Sequence, residues 1–436
     1  MDNWASFRYP HLFNIWDAWC AEKNWNQLDR WLKRYYQTQK QFGKRDRMEY
    51  SNAMFSAMRN LQYIEALELA YKKGQNQAWQ KWDKQWSTAQ LSDISTPYFW
   101  YWLALIHDVN SPAPKELPDA EKRCQWFVDN HLKQSSQLDT DFNAFSDGWR
   151  PLWNESLTER SKISGWNQEQ QLQFVKGQNQ LPPIWLRPQQ QTSSDDLYQL
   201  LLNEGVNVNR EGDRISASGG TGLHETNTFK QGLFEIQDLA SQHISESVEA
   251  KPGDKVWDVC AGAGGKSLAI AEKLQNKGIV LATDIREFKL KELKRRAKKA
   301  SYFNIRTFGW DAESPLKQPK EVRSQGGFDW VLIDAPCSSG GTWRRNPDAR
   351  WRESAIPDTD LLSLQEKIIN QACLSVKAGG YLVYATCSWM PQENEYQVQK
   401  FLDSHPEFEL DHQSMLGFPL ENSDTMFAAV IKRVTG

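Results

Sequence analysis

The sequence predicts an α/β protein with a doubly wound sheet in its C-terminal half, preceded by a small α+β subdomain and an all-helical N-terminal domain. From residue 229 onward, apolar segments of strand length alternate with amphipathic segments of helix length. Such alternation over about 200 residues is typical of a doubly wound sheet. Residues 184–228 combine short strand-like segments with a single helical one. The first 150 residues space their apolar side chains by three and four, which indicates helices.

Within the C-terminal half, the expected strands and helices follow one another regularly. The expected strands are 255–260, 279–284, 306–310, 328–334, 381–385 and 426–434. The expected helices are 266–276, 289–301, 360–376 and 393–404. Ligands of doubly wound sheets bind at the carboxyl ends of the strands. Residues that directly follow these strands are therefore the candidates for a functional site.

We expect three domains, because a chain of 436 residues is too long for one ordinary core. Residues 1–155 form the helical domain, 156–228 a linker with the small α+β subdomain, and 229–436 the doubly wound domain. The Gln-rich residues 167–183 end in two prolines and are interpreted as the linker. Over half of the 21 tryptophans lie in the helical domain, and their spacing favours core packing over base stacking.

Composition limits the class of protein and its partners. With 39% hydrophobic and 25% charged residues, no long apolar stretch and no signal-peptide pattern, we expect a cytoplasmic monomer without a membrane partner. The net charge of −3 conceals basic clusters at 33–47, 286–299 and 344–352. Each is either a solvated face or part of a nucleic-acid surface. The six cysteines contain no CxxC pair, so no metal site is expected.

A glycine-rich turn follows the first strand of the doubly wound region, in the sequence VWDVCAGAGGKS at 256–267. A phosphate-binding P-loop would need glycine where Cys260 stands, and a dinucleotide loop would need it at Ser267. The next two strands end in Asp284 and Asp311. A carboxylate at the first position can accept ribose hydroxyls, and one at the second can accept an adenine amino group. This pattern favours a nucleoside cofactor, although each aspartate alone could be a helix cap.

Two later strands each end in a Cys-Ser pair. The segments read FDWVLIDAPCSSGG and YLVYATCSWMPQEN, which place Cys337 and Cys387 just after the last apolar residues of their strands. Most free cysteines are small buried hydrophobic residues, and we assign that role to Cys20, Cys124 and Cys373. The position of the other pair, beside the cofactor loop, favours thiol chemistry instead.

These segments resemble the NOL/NOP/Sun family of RNA cytosine-5 methyltransferases, and in particular its bacterial members that methylate 16S ribosomal RNA. The motifs DVCAGAGGKS, DAPCSSGGTWRRNPD and YATCS with PQEN carry the resemblance, and PPIWLRPQ and FKQGLFEIQDLASQ support it. It covers about residues 182–432. The resemblance implies a class I methyltransferase fold, S-adenosyl-L-methionine as cofactor, an RNA-binding small subdomain, and an RNA substrate, with ribosomal RNA favoured and transfer RNA possible.

The resemblance also implies the roles of individual residues. Cys387 is the nucleophile that adds to C6 of cytosine, and Cys337 assists release of the methylated base. Asp334 hydrogen-bonds the activated ring, and Lys266 positions or polarises it. The residues expected to bind the cofactor are Cys260, Ala261, Gly262, Ala263, Gly264, Gly265, Lys266, Asp284, Asp311 and Asp334. Arg344 and Arg345, in the second basic cluster, are expected to bind RNA.

The addition of a thiolate to C6 is needed because C5 of cytosine is a poor nucleophile. The adduct turns C5 into an enamine-like carbon, which can attack a methyl group, so one hard step becomes two easier ones. A base must then remove the proton from C5 before the thiolate leaves.

The sequence departs from the family pattern at three places. Gly262 and Ala263 stand where the family usually has alanine and proline, and the last strand lacks the Asp-Gly that usually precedes it. Bacterial relatives often begin with a helical RNA-binding domain similar to NusB, but residues 1–150 carry no motif of that domain.

Two readings of different kinds compete with this one. DNA cytosine-5 methyltransferases use a Pro-Cys nucleophile like Pro336-Cys337, but Cys387 would have no role there. A catalytically idle RNA-binding factor in ribosome assembly is the other alternative, and the intact cysteine pair argues against it.

Overall fold

A computed structural model describes residues 9–22, 27–74, 77–88, 94–132, 140–190, 192–218, 222–352 and 356–434. The chain divides into two compact units. The helical unit comprises Met1–Ser161, Trp166–Leu181 and Trp343–Ala355. The sheet unit comprises Lys162–Gly165, Pro182–Thr342 and Ile356–Gly436. Within the described residues, no helix has the length and apolar character needed to cross a membrane.

The N-terminal part of the chain is helical, as predicted. Its helices are α1 (Tyr9–Cys20), α2 (Leu28–Thr38), α3 (Lys44–Arg59), α4 (Leu61–Lys73), α5 (Trp79–Gln85), α6 (Thr96–His107), α7 (Ala120–Phe127), α8 (Thr140–Ser146), α9 (Asn154–Ser164) and α10 (Gln168–Gly177). The predicted boundary after residue 155 falls inside α9.

The tryptophans of this unit are mainly core residues, which confirms that expectation. The rings of Trp16 and Phe99 stack with centroids 4.2 Å apart. Trp102, fully buried on α6, donates its indole N–H to Glu68 at 2.7 Å. The Glu68 carboxylate also pairs with the buried Arg123. The burial of aromatic side chains and the hydrogen bonds between buried polar groups therefore stabilise the packing of these helices.

The predicted linker at 167–183 is wrong, because it contains helix α10. The Asn167 side chain accepts a hydrogen bond from the Gln170 backbone N–H, and the Asn167 backbone N–H donates one to the Gln170 side chain, so the two residues form a capping box. Phe174 is fully buried on this helix and lies 6.0 Å from the ring of Trp149. One buried aromatic residue and a good cap outweigh the polar, Gln-rich composition.

The sheet unit contains a small antiparallel sheet with the strand order β2-β3-β1-β4. Its strands are β1 (Ile184–Pro188), β2 (Val208–Glu211), β3 (Arg214–Ala217) and β4 (Phe234–Ile236). Helices α11 (Ser194–Asn203) and α12 (Asn227–Gln231) pack on it. The α+β character is as predicted, but the short strand β4 lies in a segment that the sequence had assigned to no element.

The larger sheet has the strand order β10-β11-β9-β8-β5-β6-β7 and confirms the doubly wound prediction. Its strands are β5 (Lys255–Asp258), β6 (Ile279–Thr283), β7 (Ile305–Phe308), β8 (Phe328–Asp334), β9 (Val376–Thr386), β10 (Phe408–Gly417) and β11 (Thr425–Arg433). Its helices are α13 (Leu239–Ser247), α14 (Gly265–Lys273), α15 (Glu287–Lys299), α16 (Lys320–Arg323), α17 (Thr359–Cys373) and α18 (Glu395–Ser404).

Strands β5 to β9 are parallel, and β10 and β11 are antiparallel. β8 has the predicted bounds, whereas β9 begins at Val376 rather than at residue 381. Strand β10 was not predicted. It lies at the edge of the sheet and is rich in polar residues, so it lacks the apolar pattern that identifies a strand in the sequence. The parallel strands bring the carboxyl ends of β5, β6, β8 and β9 to one edge, where the site lies.

Candidate active site

A cleft of about 670 Å³ opens at the carboxyl edge of the parallel strands. Its walls include nine of the residues that the sequence selected: Cys260, Ala261, Gly262, Ala263, Asp284, Asp311, Asp334, Cys337 and Cys387. Gly264, Gly265 and Lys266 do not line the cleft; they begin α14 directly beneath its loop. The structure therefore brings together residues from the ends of five separate strands, β5 to β9.

The loop between β5 and α14 depends on two glycines with left-handed backbone. Gly262 has φ +54° and Gly264 has φ +89°. A Cβ atom on Gly264 would lie 2.4 Å from Cγ of Leu293, so no larger residue fits. The loop is also tied down by Arg296, whose guanidinium donates to the carbonyl of Ala263 at 2.6 Å.

Asp284 is buried at the end of β6 and accepts several hydrogen bonds. Its Oδ2 accepts from the backbone N–H of Gly262 at 2.9 Å, and its Oδ1 accepts from the backbone N–H of Arg286 at 2.8 Å. The Arg286 guanidinium also pairs with it. Burial opposes ionisation, but these bonds prevail and hold the pKa of Asp284 below its ordinary value. Asp284 is therefore an anionic acceptor at the cleft.

Asp311 lies exposed at the mouth of the cleft beside Trp310. Its Oδ1 accepts a hydrogen bond from the backbone N–H of Glu313 at 3.0 Å, which fixes the side chain. Ile285, Leu364 and other apolar side chains line the cleft nearby. The cleft thus combines carboxylates with an apolar surface, a combination that suits a nucleoside.

The two motif cysteines meet at the ends of β8 and β9. Their sulfurs lie 3.2 Å apart, and both are free thiols. The hydrogen bond with Cys387 and burial raise the pKa of Cys337 well above its ordinary value. The Oγ of Ser339 lies 3.6 Å from the sulfur of Cys387. The two thiols therefore lie within hydrogen-bond distance of each other, and the proximity of Cys387 makes Cys337 harder to ionise.

Lys266 and Asp334 form an ion pair beside the cysteines, with Nζ 2.7 Å from Oδ2. Burial alone would lower the pKa of Lys266, but the charge of Asp334 and the hydrogen bond to it outweigh this effect and raise the pKa. The ammonium also interacts electrostatically with Cys387. A fixed positive charge near a thiol favours its thiolate form.

Sequence reasoning missed two charged residues at this site. Arg286 pairs with Asp284, and the only signal for it was a basic residue two positions after the strand-end aspartate. Asp258, the last residue of β5, is buried and accepts from the hydroxyl of Ser267 at 2.6 Å. Burial raises the pKa of Asp258 to about 7. Its place at the start of the glycine-rich motif was the available signal.

The expectation that Arg344 binds RNA is not retained, because this side chain is only 1% exposed. Its Nε donates to the backbone carbonyl of Gln180 at 3.0 Å, and its own carbonyl accepts from Arg59. These contacts all lie within the helical unit. Arg345 is half-buried, and its contact with RNA stays a prediction.

Comparisons with known proteins identify the family of the chain. Residues 246–430 match the model of the family described as 16S rRNA methyltransferase RsmB/F. A protein of an Escherichia coli strain, named ribosomal RNA small subunit methyltransferase B, is 31% identical over 317 residues, which cover 70% of each chain. The protein of the same name from Klebsiella pneumoniae subsp. pneumoniae is 33% identical over 282 residues. That match covers 61% of this chain and 63% of the Klebsiella protein.

Two solved structures from Pyrococcus horikoshii share the fold. A methyltransferase homologue has a TM-score of 0.54 at 22% identity, covering 71% of this chain and 99% of its own. NSun6 has a TM-score of 0.55 at 18% identity, covering 65% of this chain and 98% of its own. These likenesses confirm the class I methyltransferase fold. Together with the curated relatives, they confirm the resemblance found in the motifs, and the chain belongs to the 16S rRNA methyltransferase RsmB/F family.

Proposed function

We propose that the protein is an S-adenosyl-L-methionine-dependent RNA methyltransferase that methylates C5 of a cytosine in ribosomal RNA. The chain spans 63% of the length of the Klebsiella relative, so activity and substrate are proposed here for this chain itself. The observation that carries the proposal is the pair of cysteine sulfurs, 3.2 Å apart, beside the ion pair of Lys266 and Asp334. Two thiols so placed suit an addition and a later elimination on one base.

The residues of the cleft fit S-adenosyl-L-methionine, whose sulfonium supplies the methyl group when it is bound. Asp284 would accept from the ribose hydroxyls, and Asp311 would accept from the adenine amino group. Backbone N–H groups of the loop after β5 can approach the cofactor because Gly262 carries no side chain, and its Cα is open to the cleft. The Asp284 carboxylate, anionic and buried, is the observation that supports this fit.

Cys387 would act as the nucleophile on C6 of the target cytosine. The Lys266 ammonium interacts with it electrostatically, and the Cys337 sulfur lies within hydrogen-bond distance of it. Addition moves the electrons of the C5–C6 bond towards C5 and the ring nitrogen N3. Lys266 can donate to the ring, and the Asp334 carboxylate can accept from the exocyclic amine.

Cys337 would then remove the proton from C5 of the methylated adduct. The hydrogen bond to Cys387 is the largest cause of its raised pKa. Bonding of the Cys387 sulfur to C6 would remove this cause of the raised pKa, and Cys337 would then lose its proton to solvent. As a thiolate it takes the C5 proton, the C5–C6 double bond re-forms, and Cys387 leaves as a thiolate.

Bisulfite sequencing of total RNA from cells with and without the gene tests the proposal. We expect one or a few cytosines of the small-subunit ribosomal RNA to be protected from conversion only when the gene is present. If the protected cytosines lie in transfer RNA instead, transfer RNA is the substrate and the proposed reaction is unchanged. Identical conversion in both RNA pools would overturn the proposed activity and favour an idle ribosome-assembly factor. The monomeric state and the cytoplasmic location stay predictions.

A further inference from the structure

Asn394 holds both neighbours of Cys387. This fully buried amide follows the cysteine turn and precedes α18. Its Oδ1 accepts from the hydroxyl of Thr386 at 2.5 Å, and its Nδ2 donates to the carbonyl of Ser388 at 2.9 Å. The residues before and after the nucleophilic cysteine are thus bound to one side chain.

Glu393, the residue before it, holds the turn of the other cysteine. This fully buried carboxylate accepts from the backbone N–H of Ser338 at 2.8 Å and from the Ser338 hydroxyl at 2.6 Å. It also accepts from the amide of Gln365 at 3.1 Å. The same Gln365 amide donates to the carbonyl of Pro336 at 3.0 Å, so both neighbours of Cys337 are held as well.

We propose that Glu393 and Asn394 are positioning residues that set the separation of the Cys337 and Cys387 sulfurs. The two cysteines come from different strands and are 50 positions apart, yet their turns are tied to consecutive residues of the chain. A peptide unit is rigid, so a dipeptide that binds one turn with each side chain fixes the turns relative to each other. The expected effect on catalysis rests on the two-cysteine reaction proposed above, whereas the fixed separation of the two sulfurs does not depend on that reaction.

The energetic cost of burying the Glu393 carboxylate indicates that its hydrogen bonds have a role other than packing. A buried carboxylate is costly unless donors satisfy it, and an apolar side chain of similar size would pack more cheaply. Within the described residues, Glu393 forms no ion pair with lysine or arginine. Its carboxylate is instead satisfied by the backbone N–H and the hydroxyl of Ser338, in the Cys337 turn. Its charge also helps to raise the pKa of Cys337, which keeps that thiol protonated before the nucleophile reacts.

The separation of the sulfurs can be measured without RNA or cofactor. Diamide accepts two electrons and two protons from a pair of thiols, which leaves one disulfide and a hydrazine. We expect the wild-type protein to form the Cys337–Cys387 disulfide quickly, as followed by peptide mapping in a mass spectrometer. In Glu393→Ala and in Asn394→Ala, the rate of that disulfide should fall about tenfold or more, since reaction requires close approach of the two sulfurs.

Turnover supplies the second measurement. Both alanine variants should lower kcat about a hundredfold, the scale expected for roughly 1 Å of misplacement, while calorimetry shows unchanged affinity for S-adenosyl-L-methionine. Glu393→Gln should keep most of the rate of disulfide formation. In the wild type the Glu393 carboxylate accepts a hydrogen bond from the Ser338 hydroxyl, and in the variant the glutamine amide nitrogen can donate one to the same hydroxyl.

Gln397→Ala is the matched control. Gln397 is buried on α18, one turn after Asn394, and donates to the carbonyl of Leu362 at 3.0 Å without touching either cysteine turn. We expect it to lower stability and leave the disulfide rate and kcat unchanged. Should an alanine variant fold poorly, Asn394→Asp provides the same test, because aspartate keeps the acceptor for Thr386 and loses the donor to Ser388.

The outcomes separate this inference from the proposed function. Disulfide rates in both alanine variants that equal those of the wild type and of Gln397→Ala would overturn the positioning role, even if methylation is confirmed. Slower disulfide formation in the variants of a protein that methylates no RNA would support the positioning role and overturn the function instead.

Discussion

At the scale of single residues, the two motif cysteines differ in their surroundings, and this difference supports different roles. Cys337 has a raised pKa, caused first by its hydrogen bond with Cys387 and then by burial. Cys387 lies within the electrostatic influence of the Lys266 ammonium. A neighbouring positive charge attracts an anionic sulfur. These contacts favour Cys387 as the nucleophile and Cys337 as the thiol that acts later.

The Cys337→Ala variant should trap the enzyme on its RNA. It retains the proposed nucleophile and the proposed cofactor site, so we expect addition and methyl transfer to continue, but the proposed base for the C5 proton is missing. We expect a covalent protein–RNA complex that survives denaturant and appears as a shifted band on a denaturing gel.

The double variant with Cys387→Ala is the control for this band and should not form it, because it has neither of the two motif thiols that could add to C6. Cys387→Ala alone should abolish methylation. If Cys337→Ala merely loses activity or stability and traps no substrate RNA, the two-cysteine mechanism is wrong, although the methyltransferase assignment would survive.

Asp284→Ala should weaken the binding of S-adenosyl-L-methionine while the fold persists. The side chain accepts hydrogen bonds at a strand end and belongs to none of the hydrophobic core clusters. Loss of a hydrogen bond to a charged group costs about 1.5–3 kcal/mol, which corresponds to roughly a ten- to hundredfold loss of affinity. Isothermal titration calorimetry measures it.

Glu287→Ala is the companion variant for Asp284→Ala. It removes a neighbouring exposed carboxylate from the first turn of α15, outside the residues that line the cleft. Its affinity for the cofactor should match that of the wild type. Equal affinities in all three proteins would mean that the cofactor site lies elsewhere.

At the scale of elements, the junction of β5 and α14 explains why its two motif glycines are not equivalent. Both have left-handed backbone, which costs an L-residue roughly 1–2 kcal/mol. Only Gly264 faces a packed neighbour, since a Cβ there would lie 2.4 Å from Leu293, whereas Gly262 has open space. An alanine at position 262, which the family usually has, would therefore meet no packed neighbour in this protein and incur only the backbone cost.

Gly264→Ala should accordingly destabilise the protein more than Gly262→Ala. We expect a loss of about 2–5 kcal/mol for Gly264→Ala, from backbone strain and overpacking against Leu293 together. Gly262→Ala should cost about 1–2 kcal/mol from backbone strain alone. Urea unfolding of both variants measures the difference, and equal losses would contradict the close packing of Gly264.

At the scale of the whole molecule, the chain order and the compact units do not coincide. Residues 343–355 follow the Cys337 turn in sequence but belong to the helical unit. Trp351 is buried among helical residues, and its indole N–H donates to the carbonyl of Met58 at 2.6 Å. Its ring lies 5.2 Å from that of Trp86. The helical core therefore needs a segment supplied by the catalytic half of the sequence.

Trp351→Ala should therefore destabilise the helical unit, although residue 351 follows a catalytic motif. Truncation of a buried tryptophan costs about 3–5 kcal/mol. Urea unfolding followed by tryptophan fluorescence measures this loss, because more than half of the tryptophans lie in the helical unit. Met48→Ala, at a half-exposed position on α3, should change stability by no more than about 0.5 kcal/mol. Similar losses for both would refute the core role of Trp351.

The sequence by itself determined the doubly wound fold and the residues that meet in the cleft. Strand and helix periods are local properties, and parallel strands necessarily present their carboxyl ends at one edge. Asp284, Asp334, Cys337 and Cys387 could therefore be selected from their positions after strands alone. The resemblance in the motifs added the cofactor and the order in which the cysteines act.

Only the tertiary structure decided what depends on residues far apart in the chain. It brought the two sulfurs to 3.2 Å and bound their turns to Glu393 and Asn394. It also buried Arg344, which sequence reasoning had assigned to an RNA surface, and turned a predicted linker into α10. The physical reason is the same in each case: side-chain burial and hydrogen-bond partners are set by long-range packing, and a local pattern of charge or polarity does not reveal them.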